Sequence, residues 1–491
     1  MSTPVVETRA FLGDRVRGQQ QQQRFATSRW RWTVMLATAL LNWSGQVSWI
    51  AFAPIANFVD AFYDRRGANN LFSVIYIVAP VTVGWICMYL VQRLGIKRCA
   101  YAASLCYTSG ATLRLLSAYV PHTAYRFPVG LLGQVIAASA YPLVMALPAK
   151  VSATWFPSRE RALATTVIAM ANPVGVMTAN LVTPQLVSEV EDVVYVNWFT
   201  FILCVVALVC VLTFVRTSTP EQPPSAGAAA QEISFWTGAR MAAKSRSFLL
   251  LAAVLGGGIG MFNTLFTLVQ QMLCPSGYSN AFGGLCVALS ICGGVLGSFC
   301  TSRLVDRTKM FTETLKIGFS LSALSGIAFH QLVLFPHKQL ALALLAFAFG
   351  AFGLGCYAVG LEMGAEITYP VSPAISTGLL VISGDLQAVA YIFLLSSLSS
   401  EQLPSRLRGR ETCSVSSQSS DLDAAAGDVS AARDWRWSVT AFCLVGAVLA
   451  TTCNVAFWPK LRRARIEGLH TKKGNGQPEQ DVLQTKTPEN L

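Results

Sequence analysis

Apolar stretches of about 20 residues or more recur along the chain, each closed by a short cluster of charged or turn-forming residues. A helix of that length crosses about 30 Å of hydrocarbon at about 1.5 Å per residue. A soluble fold has no means of covering so many apolar helices, whereas a bilayer requires them. Composition agrees, because 53% of the residues are hydrophobic and 13% are charged, and the charged share is roughly half that of an ordinary soluble domain. The expected fold class is therefore an all-α membrane protein.

Twelve transmembrane helices are expected, near residues 33–58, 70–92, 98–117, 128–150, 163–187, 197–215, 247–272, 281–303, 314–335, 339–360, 374–398 and 436–458. The polar segment from Glu221 to Ala230 lies near the middle of the chain and divides these spans six and six. The expected organisation is a basic cytoplasmic tail (1–30), an N-terminal six-helix half (31–216), a cytoplasmic linker (217–246), a C-terminal six-helix half (247–458) and a second cytoplasmic tail (459–491). The run Gln19 to Gln23, the linker segment, Ser414 to Asp428 and the residues after His470 are polar and low in complexity, and are expected to be disordered.

The net charge of +12 does not point to nucleic acid, because Lys and Arg sit in short loops and tails rather than on a soluble module. The leader (Arg9, Arg15, Arg17, Arg24, Arg29) has no cleavable-signal pattern. It falls on the same side as Arg93, Lys97 and Arg98, as Arg159 and Arg161, as Arg303, Arg307, Lys309 and Lys316, and as the tail with Lys460, Arg462, Arg463 and Arg465. Opposite loops are poor in basic residues or acidic, as at Glu189, Glu191 and Asp192; the exception is the loop with Arg406, Arg408 and Arg410. The positive-inside rule then puts both termini in the cytoplasm. Cysteines are scattered through apolar stretches (Cys87, Cys106, Cys204, Cys210, Cys292, Cys300, Cys356) without metal-binding spacing. Cys274 and Cys413 fall near outer loops, which leaves a disulfide between them open. No nucleophile–base set or phosphate loop appears, so no enzyme, metal or cofactor is expected.

Two loops at equivalent positions carry related sequences, Gln92-Arg93-Leu94-Gly95-Ile96-Lys97-Arg98 and Asp306-Arg307-Thr308-Lys309. They resemble the cytoplasmic loop motif of the major facilitator superfamily. That resemblance implies a gating role for Arg93, Lys97, Asp306 and Arg307, in which basic and acidic residues pair with helix ends and hold the inner gate shut. Gln92 stands where the motif usually has an acid. A narrower resemblance rests on Trp49 to Phe58 (WIAFAPIANF), Trp155-Phe156, Ala171-Asn172-Pro173-Val174-Gly175, Gln271-Met272, Glu366-Ile367-Thr368-Tyr369-Pro370 and Thr377-Gly378-Leu379-Leu380. These segments look like the feline leukaemia virus subgroup C receptor family, and within it are most similar to the A3-type branch. The family implies facilitated or proton-linked transport of haem, choline, ethanolamine or related solutes, and residence in the plasma membrane, with the lysosomal membrane as alternative. Trp49 matches the family's first-span tryptophan, which faces a quaternary ammonium. Asn263, Pro173 and Asp385 stand where the family has a tyrosine and two glutamines, which puts choline itself in question.

The residues themselves also suggest a site. Asn42, Gln46 and Trp49 fall at i, i+4 and i+7 on span one, and Asn263, Thr267 and Gln270 repeat the device on span seven. Polar stripes avoid lipid, so they either line a central cavity or join helices. Asp385 lies about 16 Å along span eleven from Ala374, near mid-membrane, where an acid costs roughly 2.5–3.5 kcal/mol. It either pairs with a cationic solute or a nearby base, or carries a coupling proton. Arg114 is a candidate partner that is expected instead to snorkel to the interface. Gly256 with Gly260 and Gly293 with Gly297 have the spacing of close-packed helices, and Pro54, Pro142, Pro173, Pro184 and Pro373 are expected to interrupt spans. No histidine is expected where an iron ligand would be wanted, since His330 lies near a span end and His122 and His337 lie in loops.

The expected function is alternating-access transport of a small organic cation or zwitterion, with Trp49, Gln46, Asn42, Asn263, Gln270 and Asp385 as substrate-binding residues. The alternatives are haem transport and a non-transporting receptor or scaffold. The expected partners are a small-molecule substrate, the lipid bilayer and, in one reading, a coupling proton, with the chain acting as a monomer. Epitope tags at either terminus should be reached by antibody only after cells are permeabilised; staining of intact cells at one end would overturn the even count of spans.

Overall fold

The computed structural model describes residues 27–222, 234–308, 310–368, 371–400, 413 and 433–459. The segments 1–26, 223–233, 414–428 and 460–491, which include most of those expected to be disordered, lie outside the described residues. The described chain is helical, and its one strand-like pairing is an isolated bridge between Ser400 and Asp434. The helices are α1 (Arg31–Ile50), α2 (Ala56–Phe62), α3 (Ala68–Ser117), α4 (Thr123–Met145), α5 (Leu147–Trp155), α6 (Ser158–Leu186) and α7 (Val193–Phe214). After the linker come α8 (Phe235–Ala243), α9 (Arg246–Leu273), α10 (Asn280–Thr308), α11 (Phe311–Val333), α12 (Gln339–Thr368), α13 (Pro373–Leu398) and α14 (Arg436–Ala456).

Among the described residues, 9 helices are long and apolar enough to cross a membrane. One of them, α3, has 50 residues, about 75 Å of helix, and covers both spans expected at 70–92 and 98–117. Gly95 separates its two arms with φ 77°, a backbone that favours glycine, and a Cβ there would collide with the Ser218 hydroxyl. The span expected at 33–58 is broken. Its helix α1 stops at Ile50, and a 3-10 turn with Pro54 (Ala53–Ile55) leads into the short α2. Asp60 on α2 then caps α3, its carboxylate accepting from the Gly67 and Asn69 amides at 2.7 and 3.0 Å. Pro142, Pro173 and Pro184, expected to interrupt spans, lie inside helices that continue past them, and Pro373 does not interrupt a span either. It opens α13, at a position where its missing N–H leaves no bond unmade.

Glycines set the closest helix contacts. A Cβ on Gly297 would run into the Ala351 carbonyl, and one on Gly293 into the Phe347 carbonyl, so α10 and α12 meet backbone to backbone. Gly256 and Gly260 do the same for α9 against Ser383, Gly384 and Ala388 on α13. Large apolar side chains such as Phe299, Leu324, Leu344 and Val455 point outward, as a lipid-facing surface requires. Gly297→Leu should overpack the α10–α12 contact and cost about 1–3 kcal/mol, read as a lower melting temperature of purified protein; an unchanged melting temperature would show that the two helices can separate freely.

Candidate functional site

One large cavity of 230 Å³ lies between helices from both sides of the linker, with α1, α4, α6 and α9 to α14 contributing to its wall. Most of the lining is apolar. Among the described lining residues no Lys or Arg appears, and Asp385 is the one acidic side chain.

Glycine packing explains how Asp385 is held. Gly260 on α9 lies against the Gly384 and Ala388 backbone, so one turn further along Asn263 Nδ2 reaches Asp385 Oδ1 at 3.0 Å. Asp385 is 1% exposed, and its other oxygen, Oδ2, has no hydrogen-bond partner. A buried carboxylate with a single amide donor is expensive unless a cation or a proton joins it. Trp49 also lines the cavity. Its indole Nε1 donates to the Ser73 carbonyl at 3.1 Å, which fixes the ring edge against α3. Asn42 lines the wall and donates from Nδ2 to the Ile168 carbonyl at 2.9 Å, tying α1 to α6. Two further polar rings, Tyr141 on α4 and Tyr357 on α12, line the same space and belong to neither stripe, because each lies among apolar neighbours on its helix.

Gln46 and Gln270 are placed elsewhere. Gln46, though buried, packs toward Gly175 on α6 and is not part of the wall, while its Nε2 has no partner. Gln270 lies about 10 Å along α9 from Asn263 and belongs to a cluster of amides. Its Nε2 donates to Asn280 Oδ1 at 2.9 Å and to Asn57 Oδ1 at 3.4 Å, and Asn280 Nδ2 donates to Asn57 Oδ1 at 2.9 Å. Beside it, Gln271 and Asn70 exchange two bonds, at 2.7 and 3.4 Å. Five amides thus join the two sequence halves at one end of the bundle.

At the other end, Arg93 and Arg307 are exposed. Arg93 lies over the Tyr89 ring at 5.5 Å and Lys97 over Tyr101 at 5.6 Å, and none of these three cations forms an ion pair among the described residues. The Asp306 side chain lies outside the described residues. Gln92 contacts the linker instead, accepting from the Phe235 amide at the start of α8 at 3.0 Å. That helix packs its Gly238 against Val371 and Ile375 near the start of α13.

Two expectations require correction. Arg114 does not snorkel and does not meet Asp385. It is 1% exposed, donates to the Ser48 carbonyl at 2.9 Å, to Gln134 Oε1 at 3.0 Å and to the Thr200 hydroxyl, and sits over the Phe52 ring at 4.7 Å. The Ser48 carbonyl lies in the last turn of α1, where the break leaves acceptors that a cation suits. His330 is not remote from the site, because it lines the cavity, as does Cys443. The open question of Cys274 and Cys413 is answered by a disulfide between them. No group of three or more His, Cys, Asp or Glu able to hold a metal occurs among the described residues.

The sequence and the fold have counterparts among known proteins. Residues 34–374 match the family model of the Major Facilitator Superfamily. The chain is 34% identical over 386 residues to solute carrier family 49 member A3 of Xenopus tropicalis, covering 76% of this chain and 79% of that protein. It is 28% identical over 389 residues to the choline/ethanolamine transporter FLVCR2 of Homo sapiens, covering 75% and 72%. In fold it is similar to a bacterial homolog of the human lysosomal transporter Spinster in an inward-facing, unoccupied conformation, with TM-score 0.60, 14% identity and coverage of 87% and 97%. This chain belongs to the Major Facilitator Superfamily, in the branch that holds solute carrier family 49 member A3 and the FLVCR proteins, and is a multi-pass membrane transporter rather than an enzyme.

Proposed function

We propose that the protein moves a small organic cation or zwitterion, of the choline or ethanolamine kind, by alternating access between two six-helix halves, residues 31–216 and 247–458. The observation that carries this reading is Asp385 Oδ2, a buried acceptor without a partner on the wall of a cavity that holds no described Lys or Arg. A cation supplies the missing partner. Trp49 offers an indole in the same wall, and a cation over such a face gains about 0.5–2 kcal/mol. Haem is the second reading. His330 favours it by supplying an imidazole, but haem carries two carboxylates, and the one charged lining group is itself an acid. The cation therefore fits the wall better.

In this reading the chain has twelve spans, α3 supplying two of them. The Cys274–Cys413 bond supports an outward orientation for its end of the bundle, since disulfides persist in oxidising compartments. The basic loops and both termini then face the cytoplasm, and the plasma membrane is the membrane of residence. The amide cluster of Asn57, Asn70, Gln270, Gln271 and Asn280 is the outer gate in its closed form, and the contact of Gln92 with α8 belongs to the inner one.

Asp385→Asn should weaken binding of choline or ethanolamine to purified protein about 10-fold or more, a change of ~1.4 kcal/mol or above, and Trp49→Ala should weaken it further at every pH. Should Asp385 carry the coupling proton instead, Asp385→Asn will leave binding and exchange intact and remove the pH dependence of net flux. Wild-type binding and flux in Asp385→Asn would remove the carboxylate from the site.

For the gate, Asn70→Ala, Gln271→Ala and the double variant should each favour outer opening by a similar amount, about 1 kcal/mol, because the two amides bond each other. Labelling of Ala53→Cys from the disulfide side reports this, and additive effects would show that the pair does not act as one bond.

A further inference from the structure

His330 is a histidine whose two nitrogens are treated differently. It lies on α11, close to the C-terminal end of that helix, and is 1% exposed. Its Nδ1 is 2.7 Å from the Gly326 carbonyl oxygen. A carbonyl can only accept, so Nδ1 carries the proton and the neutral ring leaves Nε2 as a bare acceptor. That Nε2 is buried and has no hydrogen-bond partner. The rings around it cannot serve, because Phe329, Phe349 and Phe442 lie edge-on at centroid distances of 5.3, 6.3 and 4.9 Å and carry no N–H or O–H.

The surroundings connect His330 to the cation site. Phe349 also stacks on Phe262 at 4.4 Å, and Phe262 precedes Asn263, which holds Asp385. His330, Phe349, Phe262, Asn263 and Asp385 all line the same cavity. Buried polar groups are ordinarily satisfied, and one that is not calls for an explanation, above all on a cavity wall. Asp385 Oδ2 and His330 Nε2 are two different acceptors on that wall. The first suits a positive charge. The second suits a hydrogen-bond donor, since an uncharged Nε2 attracts an O–H or N–H and has nothing to offer a methyl group.

We propose that His330 is a specificity-determining residue, whose Nε2 accepts a hydrogen bond from a hydroxyl or N–H group carried by the same molecule whose cationic head sits at Asp385. This rests on the cation reading of the site. It makes the solute a cation with a donor at a second position, and sets it apart from cations that are alkylated throughout. A site built to bond a hydroxyl discriminates strongly against the analogue that lacks it, because its own acceptor is then left unpaired.

The test uses the full-length purified protein and a matched pair of probes, choline and its O-methyl ether, which share the quaternary ammonium and differ in the donor. Binding is measured by calorimetric titration for wild type, His330→Phe and His330→Gln, with the melting temperature of each recorded. Wild type should prefer choline about 10-fold or more. His330→Phe keeps an aromatic ring in the cluster and should bring choline down to the affinity of the ether, with the ether unchanged. His330→Gln retains an acceptor and should keep much of the preference. Equal binding of the two probes by wild type overturns the proposal even where neither variant folds. An undiminished preference in His330→Phe overturns it as well, and the cation reading then stands if Asp385→Asn still loses both probes. Failure of wild type to bind either probe overturns the cation reading and the proposal with it.

Discussion

The structure depends on a carboxylate held deep in an apolar bundle by a single amide. Asp385 and Asn263 meet at 3.0 Å because glycines on α9 and α13 let the two helices approach until backbone touches backbone. Larger residues at Gly256, Gly260 or Gly384 would part the helices and take the amide out of reach. What the packing does not supply is a second partner for the carboxylate. The proposed cation would be that partner, and the indole of Trp49 and the phenols of Tyr141 and Tyr357 stand in the same wall.

Arg114 makes the contrast. It is as buried as Asp385, yet three neutral acceptors and the Phe52 face surround it. Those acceptors come from α1, α4 and α7, so the cation joins three helices at the point where α1 breaks. Its Nε has no hydrogen-bond partner, but the two terminal nitrogens are held, and they steady the turn of helix that presents Trp49. The two buried charges of opposite sign thus differ in how many protein partners each has, three acceptors for Arg114 against one donor for Asp385, and not in depth.

Much of this could be read from the residues. Helix positions follow the apolar runs closely, as with 281–303 against Asn280–Thr308 and 374–398 against Pro373–Leu398, because length and hydropathy are local properties. Asp385 announced itself as an acid in mid-span. The polar stripes were informative only in part: Asn42, Trp49 and Asn263 line the cavity, whereas Gln46 packs against α6 and Gln270 joins the amide cluster. A stripe gives the face of a helix, but not the depth at which the cavity ends or which neighbour covers that face. Arg114 was misread for the same reason. Its position near a helix end suggested an escape to the interface, but its acceptors lie 66, 20 and 86 residues away in sequence. Likewise His330, placed by sequence at a span end, reaches the cavity because α11 packs against rings from α12 and α14. Such pairings are properties of the fold and are not visible along one helix.

The central claim is that Asp385 is the counter-charge for a bound cation. The most direct measurement is an experimental structure of the protein with a quaternary ammonium such as choline bound. The account predicts the ammonium nitrogen within about 6 Å of the Trp49 ring centroid and beside Asp385 Oδ2, with the Asn263 bond to Oδ1 retained. An ammonium bound elsewhere in the bundle, with Asp385 Oδ2 still unpartnered, would contradict it.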